Sequence, residues 1–428
     1  NRDVLPEFLA FQTVMPPDTL FEGIEVLPPG HYYEMCLDDG EVPRLRCYWR
    51  IDRSLIHDTD APTVEEALIQ SIRTCWDADR PVGIQLSGGV DSALITAISH
   101  DSLGRRRLDT YSVIFDDSQS QYYLPRSEET YIRQVFTRYD ASNQSYVFPP
   151  NEIALALPEA IWHHELPLHG ASTSLYLLLA RRIHESVTVL ITGEGADDIF
   201  LGYFADWSFT EDPRSHFKLF VNGGFLKELF GKDAEERAIQ KRLAVSSHAR
   251  LDGMTPCQKA SVVTMESVLH GLLARHDRMF MAHSIEGRPP FCANDIVRAR
   301  FPLVDTQIHS NQQGKIVVKE LARRYFERDF VYRKKIGFSA PYGDWCASED
   351  YWRSYVDRLD ISFLRELLDS SPLDRVLAMP EGKEKWSGSN LNLIFSLTNF
   401  ILWHDIFIES RDPTSESAWQ SVVPSHFS

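Results

Sequence analysis

Between residues 61 and 205 the chain alternates two apolar patterns. Short β-rich runs, PVGIQL (81–86), TYSVIF (110–115), QSYVF (144–148) and VTVLIT (187–192), are separated by stretches whose apolar residues recur every three or four positions, such as TVEEALIQSIRTCW (63–76) and SLYLLLARRI (174–183). Strand–helix alternation predicts an α/β domain with a parallel, doubly wound sheet. Ligands on such sheets bind beyond the carboxyl ends of the strands. From 206 to 410 helical spacing dominates, as in KIVVKELARRYFERDF (315–330) and LNLIFSLTNFILWHDIF (391–407), which predicts an α-rich half packed on the sheet. Residues 1–60 are short apolar stretches broken by turn signals. HYYEMCL and RLRCYWRI flank Asp38-Asp39-Gly40, the pattern of a β-hairpin. The polar, Pro- and Ser-containing stretch 411–428 is expected to be a mobile tail.

Composition narrows the function classes. Of 428 residues 43% are hydrophobic, enough for a sizeable core. A net charge of −17 argues against a nucleic-acid partner, which needs a basic surface. No apolar run is long enough to span a membrane, and NRDVLPEFLA is unlike a signal peptide. Cys36, Cys47, Cys75, Cys257, Cys292 and Cys346 form no CxxC pair, so a zinc ribbon has no support and a reducing cytoplasm is expected.

Two segments carry candidate chemistry. Ser87-Gly88-Gly89-Val90-Asp91-Ser92 lies between the strand GIQL and the helix start SALITAIS. Its glycines let the backbone approach a polyanion, and its N–H groups and hydroxyls can cradle phosphates at a helix N-terminus. Asp91 adds a carboxylate, useful where phosphates share a Mg²⁺. The bland alternative is a Gly-rich turn with a polar N-cap. The loop is not GxxxxGK[ST]: it has no lysine and its glycines come too early. The second segment, LITGEGADDIFLGY (190–203), runs from an apolar strand into Gly193-Glu194-Gly195 and then Asp197-Asp198. Its bland alternative is an acidic turn capping a helix.

The first loop resembles the pyrophosphate-binding loop of N-type ATP pyrophosphatases, which cleave ATP to AMP and pyrophosphate and so adenylate a substrate. GEGADDIFLGY resembles the GEGADE-type signature of the asparagine synthetase family. Other stretches follow in the family's order: TLFEGIEVLPPGH (19–31), DRMFMAHSIEGRPPF (277–291), GKIVVKELA (314–322), and Tyr332-Arg333-Lys334-Lys335-Ile336-Gly337-Phe338 with Pro341. The resemblance runs from about residue 4 to 407. It implies that residues 1–60 correspond to the closing segment of a glutaminase-like domain plus linker. Residues 61–410 would be the synthetase domain, with 61–205 binding nucleotide.

The resemblance also implies roles. Asp91 and Asp197 would hold Mg²⁺ on ATP. Leu86, Ser87, Gly88, Gly89, Ser92 and Gly193 would line the ATP site, with Val113 meeting adenine through its backbone. Lys335 would stabilise charge during adenylation and amide formation. Glu194 would take a proton from the attacking nitrogen; β-lactam synthetases resemble GYGSD there instead. The chain departs from the family at four places. The glutaminase domain, with its cysteine as mature first residue, is expected to be absent, since this sequence starts at Asn1. Phe291-Cys292-Ala293 replaces Phe-Leu-Asp. Glu165-Leu166-Pro167 replaces Asp-Glu-Pro. No arginine lies between Trp162 and Ala180 to hold an aspartate substrate. His163, His164 and His169 in HHELPLHG match no HExxH helix and are expected to be structural.

The expected activity is therefore ATP- and Mg²⁺-dependent: a substrate carboxylate, on a small molecule or peptide, is adenylated, and a nitrogen nucleophile displaces AMP. That nitrogen is ammonia, free or from a separate or lost glutaminase. The alternative is an amine of the substrate itself, as in lasso peptide cyclases and β-lactam synthetases. A non-catalytic nucleotide-binding module is the third option. A homodimer is possible.

Overall fold

The computed structural model describes residues 1–36, 42–114, 128–168, 170, 172–204, 219–221, 223–245, 251–310, 313–333, 361–368, 371, 373–374, 388–414 and 419. Strands β1 (His31–Glu34) and β2 (Arg44–Cys47) pair antiparallel as the expected hairpin, whose tip at Asp38-Asp39-Gly40 lies outside the described residues. The central sheet has five parallel strands. β3 (Val82–Gln85), β4 (Asp109–Val113), β5 (Ser142–Tyr146), β6 (Val189–Ile191) and β7 (Glu286–Arg288) lie in the order β5-β4-β3-β6-β7. The order reverses at β3. The chain steps outward to β4 and β5, then returns to place β6 on the other side. A crevice opens at such a switch point, above the carboxyl ends of β3 and β6.

The strands are short, and the three inner ones, β3, β4 and β6, are largely buried, as parallel strands between helices must be, whereas the edge strands β5 and β7 are partly exposed. With a side-chain period of two, Ile84, Leu86 and Ile191 enter one apolar cluster, and Tyr111, Val113 and Leu190 enter the other. The helices appear where apolar spacing placed them. Val64–Cys75 starts with a capping box, Thr63 and Glu66 each satisfying the other's backbone N–H. Val90–Ala97 follows β3, and Thr173–Ile183 precedes β6.

Four features differ from the sequence pattern or refine it. β7 was not expected in the helical half. It is three residues, Glu-Gly-Arg, at the sheet edge, and shows too little of the apolar signature of a strand. The run 315–330 is not one helix. It splits into Ile316–Ala322 and Arg328–Val331, a break that lets Phe326 stack on Phe330 with ring centroids 4.6 Å apart while Phe326 also packs edge-on against Tyr139. The N-terminal sixty residues divide by packing. Helix Leu5–Phe11 is wholly buried and shares a core with helix Gly388–Phe407, whereas Tyr32, Tyr33, Leu45 and Tyr48 of the hairpin region are exposed. Of the stretch 411–428, the described Trp419 is 2% exposed and belongs to a core cluster; its Nε1 donates to the Asp412 carbonyl and its ring lies under Arg411. Helix Gly388–Phe407 is buried over Leu393–Trp403, with Ser396, Thr398 and Asn399 enclosed among its apolar side chains. Among the described residues no helix is long and apolar enough to cross a membrane.

Candidate active site

The loop after β3 is folded on itself. The Ser87 backbone N–H donates to Ser92 Oγ at 3.2 Å, the two hydroxyls lie 3.1 Å apart, and Ser92 Oγ reaches the Gly89 carbonyl at 3.2 Å. The buried Leu86 carbonyl accepts from Ser112 Oγ at 2.7 Å, which fixes the strand end beneath the loop. Gly88 has φ +77°, and a Cβ there would stand 3.0 Å from Glu128 Cβ. Only glycine meets both conditions without strain. Arg333 clamps this loop from outside. It donates to the Gly88 carbonyl at 2.6 Å, ion-pairs with Glu128, and lies 3.9 Å above the Tyr131 ring.

The loop after β6 meets the first one. β3 and β6 pair in register, Val82 with Val189 and Ile84 with Ile191, so both loops leave the sheet side by side. A Cβ on Gly193 would lie 3.1 Å from Asp91 Cβ. Gly195, at φ +84°, opens the short helix Ala196–Ile199, and a Cβ there would meet Cys292 Sγ at 2.3 Å.

Asp91 and Asp197 converge on one cation, Lys315. Its Nζ is 2.9 and 2.7 Å from the two Asp91 oxygens and 2.8 Å from Asp197 Oδ1. Burial works against the ammonium, yet the charges of Asp197 and Asp91 outweigh it and hold its pKa above the ordinary lysine value. The divalent ion implied by the resemblance fits this donor set. Two carboxylates already reach one cation, and hard oxygen donors paired with substrate phosphates are the usual setting for Mg²⁺.

Glu194 lies beside this centre, in a different network. Its Oε2 accepts from Tyr176 Oη at 2.9 Å, and its Oε1 is 3.4 Å from an Arg275 nitrogen. Arg275 also donates to Ser172 Oγ at 3.0 Å, and its guanidinium lies 5.1 Å from the Tyr176 ring centre. Burial opposes the charge of Arg275, but Glu194 leads the groups that hold its pKa above normal. Burial, followed by the charge of Glu194, keeps the Tyr176 phenol protonated far above its usual range. Behind them His276 Nε2 and Thr192 Oγ1 lie 2.9 Å apart, and burial lowers this histidine's pKa to about 4.

Most sequence-selected residues therefore come together: Leu86, Ser87, Gly88, Gly89, Asp91, Ser92, Gly193, Glu194 and Asp197 lie on the two adjoining segments that leave β3 and β6. Val113 ends β4; its strand pairs Tyr111 with Gln85, so Val113 sits level with Ser87. Lys335 lies outside the described residues. Sequence reasoning gave no role to Lys315, Arg275, Tyr176 or Arg333. Lys315 and Arg333 stood inside quoted segments, but nothing in their spacing pointed to the loops they reach. Arg275 brings a cation to the very segment, 162–180, that lacks an arginine of its own. It arrives from helix His270–Met281, a placement no local pattern reveals.

Three of the described thiols, Cys75, Cys257 and Cys292, are poor nucleophiles. Burial, aided by Asp198 and Glu194, holds the Cys292 pKa well above the usual range, and burial pushes Cys75 to about 11 and Cys257 to about 12. His164 is buried with Nδ1 3.1 Å from the Leu166 carbonyl, while His169 lies outside the described residues.

Residues 63–405 match the family model described as asparagine synthase. The chain is similar to asparagine synthetase [glutamine-hydrolyzing] 1 of Bacillus subtilis, at 24% identity over 98% of this chain and 71% of that protein. It is also similar to asparagine synthetase [glutamine-hydrolyzing] 3 of the same organism, at 27% identity over 95% and 70%. A shorter match, 27% identical over 44% of this chain and 30% of the other, is to amidase chyE of Penicillium rubens. With two Gly-flanked carboxylate loops on neighbouring parallel strands and a family match across most of its length, the chain belongs to the asparagine synthase family.

Proposed function

We propose that this protein is an ATP-dependent amide synthetase that activates a carboxylate as its acyl-adenylate, releases pyrophosphate, and passes the acyl group to a nitrogen nucleophile. One observation carries the reading: Asp91 and Asp197, far apart in the chain, reach the same cation at 2.7–2.9 Å above two neighbouring strand ends. Mg²⁺ bound there with ATP would neutralise phosphate charge. The chain's own residues do the rest. The N–H groups and hydroxyls of Ser87–Ser92 would bind the pyrophosphate, and Arg333 holds that loop in shape. Glu194 would receive the proton that the nitrogen loses. Its Oε2 is engaged by Tyr176 at 2.9 Å, whereas Oε1 makes the longer 3.4 Å contact to Arg275, so among the described contacts Oε1 is the oxygen best able to turn to a substrate. The raised pKa values of Cys75, Cys257 and Cys292 argue against these three thiols as a glutaminase nucleophile and support a nitrogen supplied from elsewhere.

The test is Mg²⁺-dependent ATP–pyrophosphate exchange, stimulated by candidate carboxylates. Asp91→Asn and Asp197→Asn should each abolish it in a folded protein. Near-normal exchange in either variant sinks the assignment. Labelled ammonium then separates the two nitrogen sources: incorporation indicates an amidotransferase, and loss of water from one substrate without incorporation indicates a cyclase.

A further inference from the structure

Lys315 is a built feature of the site. Its side chain is 5% exposed, and its Nζ lies within 2.9 Å of three carboxylate oxygens from two different loops. Its backbone is fixed as well. The residue has φ +57°, unusual for a non-glycine, and its N–H donates to the Phe200 carbonyl at 3.0 Å. The neighbouring Gly314 packs so closely on Leu201 that a Cβ would lie 2.2 Å from the Leu201 carbonyl oxygen. The main chain therefore cannot retreat, and the ammonium can move only by turning its own side chain.

We propose that Lys315 is the resident counter-ion of Asp91 and Asp197, that it excludes a bare divalent cation, and that metal enters this site only together with a polyphosphate nucleotide whose phosphates receive the ammonium. The charge balance requires it. Two carboxylates and one ammonium leave a single negative charge. A bare divalent ion on the same oxygens would stand beside the ammonium in a buried setting, where like charges repel strongly. Two carboxylates are also too few ligands for an octahedral Mg²⁺, which ordinarily completes its shell with substrate phosphates and water. A triphosphate supplies negative oxygens for both cations, so metal and nucleotide bind with positive coupling. The idea rests on the adenylation reading for its nucleotide half alone; the competition between lysine and metal stands on the geometry.

The test is Mn²⁺ binding by the full chain, read from the electron paramagnetic resonance signal of free Mn²⁺, with and without α,β-methylene-ATP. Wild type should bind Mn²⁺ weakly alone and tightly with the analogue. Lys315→Met should tighten binding of Mn²⁺ alone on the order of tenfold or more, lose that gain when Asp91→Asn is added, and bind the Mn²⁺–analogue pair more weakly than wild type. Unchanged or weaker Mn²⁺ binding in a folded Lys315→Met, or a gain that survives Asp91→Asn, overturns the proposal. Should Lys315→Met fail to fold, the wild type decides. The ¹⁵N-labelled lysine signal that disappears in Lys315→Arg should shift with Mg²⁺ and the analogue together and stay fixed with Mg²⁺ alone. A shift with Mg²⁺ alone refutes the competition. If the analogue does not bind under any condition, the adenylation reading fails, while the nucleotide-free comparison still decides the role of Lys315.

Discussion

Replacing Arg275 with Met tests whether the Glu194 network is an energetic unit. Both side chains are nearly closed to solvent, Arg275 at 8% and Glu194 at 9% exposure, with 3.4 Å between their nearest charged atoms. At 3.4 Å and an effective dielectric constant of 20, unit charges attract by about 5 kcal/mol. Desolvation consumes part of that, but removing one partner strands the other, and such truncations cost about 3–5 kcal/mol. Methionine keeps the stem volume of Arg275 and removes its donors. The single variant should therefore lose about 3 kcal/mol of stability. Glu194→Gln should lose less, since an amide oxygen still accepts from Tyr176. The double variant should lose about 2 kcal/mol less than the sum of the singles, because neither charge is left alone. Urea unfolding of the four proteins, followed by tryptophan fluorescence at the first transition, gives the coupling. A coupling energy below about 0.5 kcal/mol would mean that the contact is incidental. The same variants separate the half-reactions: Arg275→Met should spare ATP–pyrophosphate exchange relative to amide formation. Equal loss in both would move Glu194 and Arg275 into the nucleotide site.

Three further outcomes follow from the same geometry. Glu194→Gln should slow amide formation more than adenylation, by about 10²–10⁴-fold if Glu194 is the base, as resolved by single-turnover measurement of each step. Gly195→Ala should destabilise the protein by about 2–4 kcal/mol, because it combines a left-handed backbone with a 2.3 Å approach to Cys292 Sγ; adding Cys292→Gly should recover only the steric part, and full recovery would show that φ +84° carries no cost. Acid should weaken the fold early. His164 and His276 are buried and their pKa values are lowered by desolvation to about 4. The unfolded chain then binds protons that the folded one refuses, so stability is full above pH 6.5 and falls as pH drops towards 4, by roughly 3 kcal/mol per histidine. Urea midpoints measured from pH 7.5 to 4.5 should show this slope, and His276→Gln should flatten it; an identical slope in that variant refutes the attribution.

The four inner and outer strands β3 to β6 and the helices Val64–Cys75 and Thr173–Ile183 are legible in the amino-acid pattern, because their apolar spacing is local and strong. The sequence also marked the two loops, because glycine beside a carboxylate at a strand end is a compact signal: Gly88 and Gly195 are in fact at positive φ, the first tight against Glu128 and the second with no room for a Cβ beside Cys292. It could not show β7, whose three residues, two charged around a glycine, lack the apolar signature of a strand and pair along the edge of β6. Nor could it show that Leu5–Phe11 and Trp419, at opposite ends of the chain, fill one core with helix Gly388–Phe407. Tertiary structure alone decided the electrostatics. Asp91 and Asp197 meet because β3 and β6 are neighbours at the switch point; Lys315 reaches both from the residue that precedes helix Ile316–Ala322, and Arg275 reaches Glu194 from helix His270–Met281, whose own pattern records only packing. Side-chain charge is visible in a sequence, but its partner is set by which elements the core brings within a few ångströms.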